Sequence, residues 1–368
     1  MSRRPCIKDL GVEALRARLG AEGAPRWRAD QIAAWLYARG VDDFEAMTDL
    51  GSDLRARLAR AFETRALELD SVRTSFDGTQ KAVLRAHDGS LIESVLIPEV
   101  DRTTLCISTQ VGCPLACSFC ATGAMGFARN LATGEIVDQV CQMRRLLPPE
   151  RRITNVVFMG MGEPLLNLPA VAEAARILLH PKAFAMAPRR VTVSTVGIPS
   201  RIERLLREVP VNLAVSLHAT TDEVRDRLVP LNRRFPLRTI LDTLRAQGRL
   251  TRRRPVFFEY TLVAGMNDRS EDARRLAPLL RGIPAKLNVI PMNRHADSSL
   301  GPPDDATVDR FVGEVAASGL RVTLRRSRGP DIDAACGQLA LRPGRRDPLG
   351  EGRAPAGSGE MHAPIPSV

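Results

Sequence analysis

Thr103-Thr-Leu-Cys106-Ile-Ser-Thr-Gln-Val-Gly-Cys113-Pro-Leu-Ala-Cys117-Ser-Phe-Cys120 reads as a strand that runs into a metal-binding loop. Residues 103–109 carry the β-branched side chains of a strand. The loop then places three cysteines at spacing C-x3-C-x2-C. Thiolates this close can hold one metal centre, and a [4Fe-4S] cluster suits soft sulfur ligands. Three protein ligands leave one iron open, as catalytic metal sites do. A structural zinc site would recruit a fourth Cys or His, and the nearest downstream candidate, Cys141, lies in an apolar helical pattern.

Outward from this stretch the chain alternates strand and helix. Further strands are predicted at 153–159, 189–196, 211–217, 256–263 and 285–291. Helical patterns fill the gaps, for example at 134–147, 168–180, 237–247 and 270–281. Six βα units predict a parallel sheet that right-handed crossovers roll toward a barrel. A closed barrel needs eight. The expected fold is therefore α/β, an open, partial (βα)6 TIM-like barrel. A seventh strand, 320–324, leads to a turn-rich loop containing Cys336.

The rest of the chain is accessory to that core. Residues 1–72 are expected to form a small helical domain. One helix runs from Trp27 through Ile32, Trp35 and Leu36 and ends at Gly40; a second, carrying Leu50, Leu54, Leu58 and Phe62, starts with Thr48 as cap. Asp77-Gly78 and Asp88-Gly89 predict hairpin turns in a 73–101 linker. Residues 102–342 form the core, and the Gly-, Pro-, Ser- and Arg-rich residues 343–368 read as a disordered tail.

The net charge of +11 among 368 residues suits a polyanionic partner such as RNA. Only 4% of residues are aromatic, which excludes a broad base-stacking platform. No apolar run is long enough to span a bilayer, and no secretory signal is evident. Seven cysteines, three of them clustered, point to a reducing, cytoplasmic setting rather than a disulfide scaffold.

Candidate site residues follow the predicted strands one after another. The cysteine loop follows the first, Gly162 and Glu163 the second, Ser194 the third, His218 the fourth and Asn293 the sixth. Strand ends of a βα barrel open on one face, where catalysis takes place. Glu93 shares a strand face with Leu91, Val95 and Ile97, so it is either buried with a partner or held for a substrate. Cys106 alone reads as a core residue, and Cys6 and Cys141 as structural. Cys336, beside Gly337 in a turn, can be an exposed, reactive thiol.

The cysteine loop, with Gly126-Phe-Ala-Arg-Asn-Leu131, Gly160-Met-Gly-Glu-Pro164, Ser216-Leu217-His218 and Asp331-Ile-Asp-Ala-Ala-Cys-Gly337, resembles the RlmN/Cfr family of radical SAM RNA adenine methyltransferases. The likeness spans roughly residues 27 to 340. It implies a cluster on Cys113, Cys117 and Cys120, and S-adenosylmethionine bound by Gly162, Glu163, Ser194, Ser216, Leu217, His218 and Asn293. It implies two S-adenosylmethionine molecules per turnover. The first methylates Cys336; the second yields a 5′-deoxyadenosyl radical that takes a hydrogen from that methyl group. The carbon then adds to adenine, Glu93 takes the ring proton, and Cys106 frees the product by forming a disulfide with Cys336. Implied partners are 23S rRNA, a tRNA, and an electron donor such as flavodoxin or ferredoxin. The housekeeping branch, acting at adenine carbon 2, is favoured over a Cfr-like carbon 8 enzyme. Ala124 and Arg294 depart from the common Gln and Pro of the pattern and leave the chemistry untouched. The rival classes are a metal-stabilised RNA-binding protein without catalysis, and a radical SAM enzyme acting on a protein or metabolite.

Overall fold

A computed structural model describes residues 4–295 and 298–340. The expected tail at 343–368 lies outside the described residues.

Twelve strands follow one another along the chain. They are β1 (Leu67–Thr74), β2 (Gln80–Ala86), β3 (Leu91–Pro98), β4 (Thr103–Cys106), β5 (Gln110–Gly112), β6 (Phe127–Asn130), β7 (Asn155–Phe158), β8 (Val191–Thr195), β9 (Asn212–Ser216), β10 (Val256–Leu262), β11 (Ala285–Pro291) and β12 (Val322–Leu324). Ten form one sheet in the order β1-β2-β3-β4-β7-β8-β9-β10-β11-β12. From β4 onward every neighbouring pair is parallel, and β1 to β4 are antiparallel. The sheet does not close: β1 and β12 are its edges. This is the open barrel expected from six βα units, with the seventh strand added at its end.

Local sequence explains the elements. β8 and β10 are rich in β-branched and aromatic residues, as strands buried on both faces should be. Helix Leu168–Leu179 buries Leu168, Val171, Ala172, Ala175 and Leu178, the repeat of one helical face. Phe158 and Phe258 are fully buried; each such side chain contributes about 2 kcal/mol relative to exposure.

The hairpin segment is not a linker between domains. Both predicted turns are present, with Gly78 and Gly89 at positive φ, but β1 to β3 extend the main sheet, and β1 begins at Leu67, before the expected boundary. The N-terminal helices also differ in detail. Helix Arg28–Ala33 continues as a π-turn to Arg39 and stops at left-handed Gly40, as expected. The next helix is Ser52–Ala61, capped at Gly51, so Thr48 is not its cap. A helix at Val12–Ala21 was not foreseen.

A buried ion pair fastens this N-terminal part to the core. Lys8 and Asp138, 1% and 0% exposed, meet between the first residues and helix Thr133–Arg144. Asp138 Oδ2 also accepts from the Ala66 and Leu67 amides at 2.8 and 2.9 Å. Lys8→Met would leave a buried carboxylate without its cation, and is expected to cost about 3–5 kcal/mol. Urea unfolding measures it; an unchanged midpoint would contradict it. Among the described residues no helix is long and apolar enough to cross a membrane.

Candidate active site

The C-terminal ends of the parallel strands surround one cavity that opens to solvent. Its construction starts at the cysteine loop. β5 and β6 form a two-stranded ribbon whose strands enter and leave that loop. At the neck Cys113 N donates to Gly126 O at 2.7 Å. Gly112 sits there at φ 73, and a Cβ on it would stand 2.0 Å from Gly126 O. Only glycine permits this approach. Arg129 fixes the ribbon from outside, with bonds to Glu135 at 2.8 Å and to Asp88 of the β2–β3 turn at 2.6 Å.

Cys113, Cys117 and Cys120 all line the cavity beside Leu115, Phe119 and Phe158. This soft, apolar donor set fits an iron–sulfur cluster. Among the described residues no three such side chains close on a single point, as one bare ion would require. A four-iron cluster instead takes its thiolates at separate corners. Burial pushes all three thiols up.

The next strands add the expected residues in order. Gly162 lies against Gln110, whose Cβ a side chain at 162 would meet at 2.5 Å, and its φ of 98 is left-handed. Gln110 Oε1 accepts from Glu163 N at 2.8 Å. Glu163 is buried; its Oε1 accepts from Leu165 N and its Oε2 from Val196 N, at 2.9 and 3.0 Å. Burial pushes its carboxyl up to about 7, against the pull of those two amides. Ser194, Ser216 and His218 line the wall. His218 has φ 57, its Nδ1 accepts from Thr261 N at 3.0 Å, and its ring meets Phe119 edge-on at 4.6 Å. Burial, and secondarily Arg225, hold it down to about 3, so the imidazole is neutral. Leu217 is buried behind the wall and does not line the cavity.

The last loop closes the ring. Gly337 O accepts from Ala121 N at 2.7 Å, which sets Cys336 beside the cysteine loop. Asn293 Nδ2 donates to Cys336 O at 3.0 Å. Lys81 Nζ donates to Asp333 O at 3.0 Å, and Gly329 N to Asp77 Oδ2 at 3.1 Å. The hairpins therefore hold the Cys336 loop in place. Cys336 lines the cavity and is accessible to solvent, and desolvation of its sulfur raises its thiol despite Arg325.

Cys106 and Glu93 stand behind the cavity wall rather than in its lining. Cys106 pairs with Val95 across β3–β4, so Cys106, Val95 and Glu93 share one face. Burial, and then the neighbouring Cys336, push Cys106 up to about 12. Glu93 is fully buried with Lys81 Nζ 3.0 Å from its Oε1. Of the two readings its strand pattern allowed, the partnered one is present.

Two residues of the site escaped the sequence. Lys81, in β2, is 1% exposed and links Glu93 to the Cys336 loop. Arg225 is also 1% exposed. Its guanidinium donates to Leu217 O, Ser216 O and Val196 O at 2.9, 2.9 and 2.5 Å, and to Asn232 Oδ1 at 2.8 Å. It ties the ends of β8 and β9 together beneath the cavity.

An open parallel barrel with three cysteines on its first loop and a glycine–glutamate turn on its second defines a radical SAM enzyme. Residues 107–277 match the model of the Radical SAM superfamily, and residues 7–64 that of the ribosomal RNA large subunit methyltransferase N-terminal domain. A dual-specificity RNA methyltransferase RlmN of Geobacter sulfurreducens is 48% identical over 94% of this chain and 95% of its own. That of Halorhodospira halophila is 48% identical over 90% and 93%. The crystal structure of a radical SAM methyltransferase from Sphaerobacter thermophilus superposes with TM-score 0.86 at 44% identity, over 91% of this chain and 99% of that one. The chain belongs to the RlmN family of radical SAM RNA methyltransferases. Membership carries the [4Fe-4S] cluster and S-adenosylmethionine with it.

Proposed function

We propose that this enzyme methylates carbon 2 of an adenosine in 23S rRNA, and of an adenosine beside the anticodon of a tRNA, through a methyl group carried on Cys336. The reading rests above all on one juxtaposition. Cys336 lines the cavity beside the cysteine loop, and Cys106 ends the strand that feeds that loop. The dual-specificity names of the relatives support both RNA substrates.

Cys113, Cys117 and Cys120 would hold the cluster. Gly162, Glu163, Ser194, Ser216, Leu217, His218 and Asn293 would hold S-adenosylmethionine. Cluster and S-adenosylmethionine together supply one-electron cleavage chemistry, which adenine carbon 2 needs because it is electrophilic and has no acidic proton. The chain's own residues do the rest. Cys336 presents the methyl carbon as a thioether at the cavity mouth. Glu93, kept in place by Lys81, takes the ring proton once carbon and adenine are joined. The adduct would give one electron back to the bound cluster; the Cys106 thiolate would then attack the Cys336 sulfur, the sulfur–carbon electron pair staying on the carbon, which takes a proton to become the methyl group, and a disulfide would remain. A cytoplasmic reductant resets the thiols, and a flavodoxin or ferredoxin supplies the cluster's electron.

The reaction on an rRNA fragment with reconstituted enzyme tests this reading. Nucleoside mass spectrometry and chromatography should give 2-methyladenosine; 8-methyladenosine would place the enzyme with the carbon 8 branch. RNA affinity should also fall steeply with salt as arginines release counterions. For about six neutralised phosphates the loss is on the order of a thousandfold between about 50 and 200 mM salt. A flat dependence would contradict a phosphate-tracking surface.

A further inference from the structure

Glu259 is a buried carboxylate that none of these roles uses. It lies in β10, 5% exposed, and lines the cavity. The sheet register pairs it with Ser216 on one side and Asn288 on the other. Asn288 Nδ2 donates to its Oε1 at 2.8 Å. Its Oε2 is buried with no hydrogen-bond partner among the described residues. Arg325 Nη1 stands 3.8 Å from Oε1, too far for a hydrogen bond, and that side chain is 43% exposed. A buried carboxylate oxygen without a donor is costly, and such atoms in cavities are satisfied by what binds there.

We propose that Glu259 binds the ribose hydroxyls of S-adenosylmethionine through Oε2. The assignment rests on the radical SAM reading above. The Arg325 charge beside Glu259 offsets part of its negative charge, which weakens its pull on the ligand's cationic ammonium and sulfonium and lets the ligand's neutral donors compete for Oε2. A carboxylate is suited to a ribose diol, as at dinucleotide sites where an acidic residue takes the ribose hydroxyl. Glu163 stands on β7's loop, away from β10, which separates the two carboxylates along the cavity.

The test uses full-length protein with its cluster reconstituted anaerobically. Equilibrium dialysis gives the Kd of S-adenosylmethionine and of its 2′,3′-dideoxyribose analogue. Wild-type protein should prefer the natural ligand by about tenfold or more, the weight of one charged hydrogen bond. Glu259→Gln keeps the size and an acceptor for Asn288. It should lose about tenfold in affinity for S-adenosylmethionine, bind the analogue as wild type does, and hold the same iron. Glu259→Asp, which keeps the carboxylate, should retain part of the preference. Equal wild-type affinity for the two ligands overturns the proposal. So does an unchanged preference in Glu259→Gln. Failure of the enzymatic reading would differ: cluster-loaded wild type would then bind no S-adenosylmethionine at all.

Discussion

Cys106→Ala protein, supplied with RNA, S-adenosylmethionine and reductant, is expected to accumulate RNA joined covalently through Cys336. Cys106 shares the Glu93 face of the sheet, and its thiol is raised by burial and then by the Cys336 charge. As a mere wall residue, its truncation would cost some stability and leave the chemistry unchanged, because lost packing creates no covalent bond. As the resolving thiol, it is needed only after carbon joins adenine. Cluster binding and Cys336 methylation should then be normal, and the reaction should stall with the sulfur–carbon bond intact. The trapped species should appear as a shifted band on a denaturing gel that nuclease removes. A variant lacking Cys336 as well should show no band. Multiple turnovers by Cys106→Ala without an adduct would return the residue to a structural role.

Replacing Cys113, Cys117 or Cys120 by Ala should remove iron and activity together. The three sulfurs belong to one short loop held by the ribbon neck at Gly112 and Gly126. Two thiolates leave a second iron without a protein ligand, and loop geometry offers no substitute: Cys141 is buried in helix Thr133–Arg144, away from the cavity lining. Iron and sulfide analysis of anaerobically purified variants measures the loss, and turnover on an rRNA fragment should fall below detection. An intact cluster with full turnover in any of the three would contradict the ligand set. Gly112→Ala should act through the same loop without touching a ligand. Its Cβ meets backbone, which cannot move aside as a flexible side chain can.

The parallel sheet was legible because buried strands announce themselves in apolar, β-branched runs such as those of β8 and β10. The site was legible because its motifs sit at strand ends, which topology gathers on one face. The helix at Val12–Ala21 was missed because only Val12, Leu15 and Leu19 mark its buried face among polar neighbours. Thr48 misled because Leu50 and Phe62 extend the apolar spacing beyond the helix that actually spans Ser52–Ala61. Lys81 was invisible for a different reason. Its burial depends on Glu93 in the next strand and on Asp333, far along the chain, and no local pattern encodes either contact. Arg225 likewise finds its acceptors on two strand ends and on Asn232. Leu217 belongs to the family's motif, but its side chain packs in the core, its N–H donates to Glu259 O and its carbonyl accepts from Arg225.

The most direct measurement is mass spectrometry of the peptide spanning Ala335-Cys336-Gly337 from protein isolated from cells. Cys336 should carry one methyl group in wild type and in Cys106→Ala, because that modification precedes the step Cys106 serves. An enzyme fully active on RNA with Cys336 unmodified throughout turnover would contradict methyl transfer through this thiol.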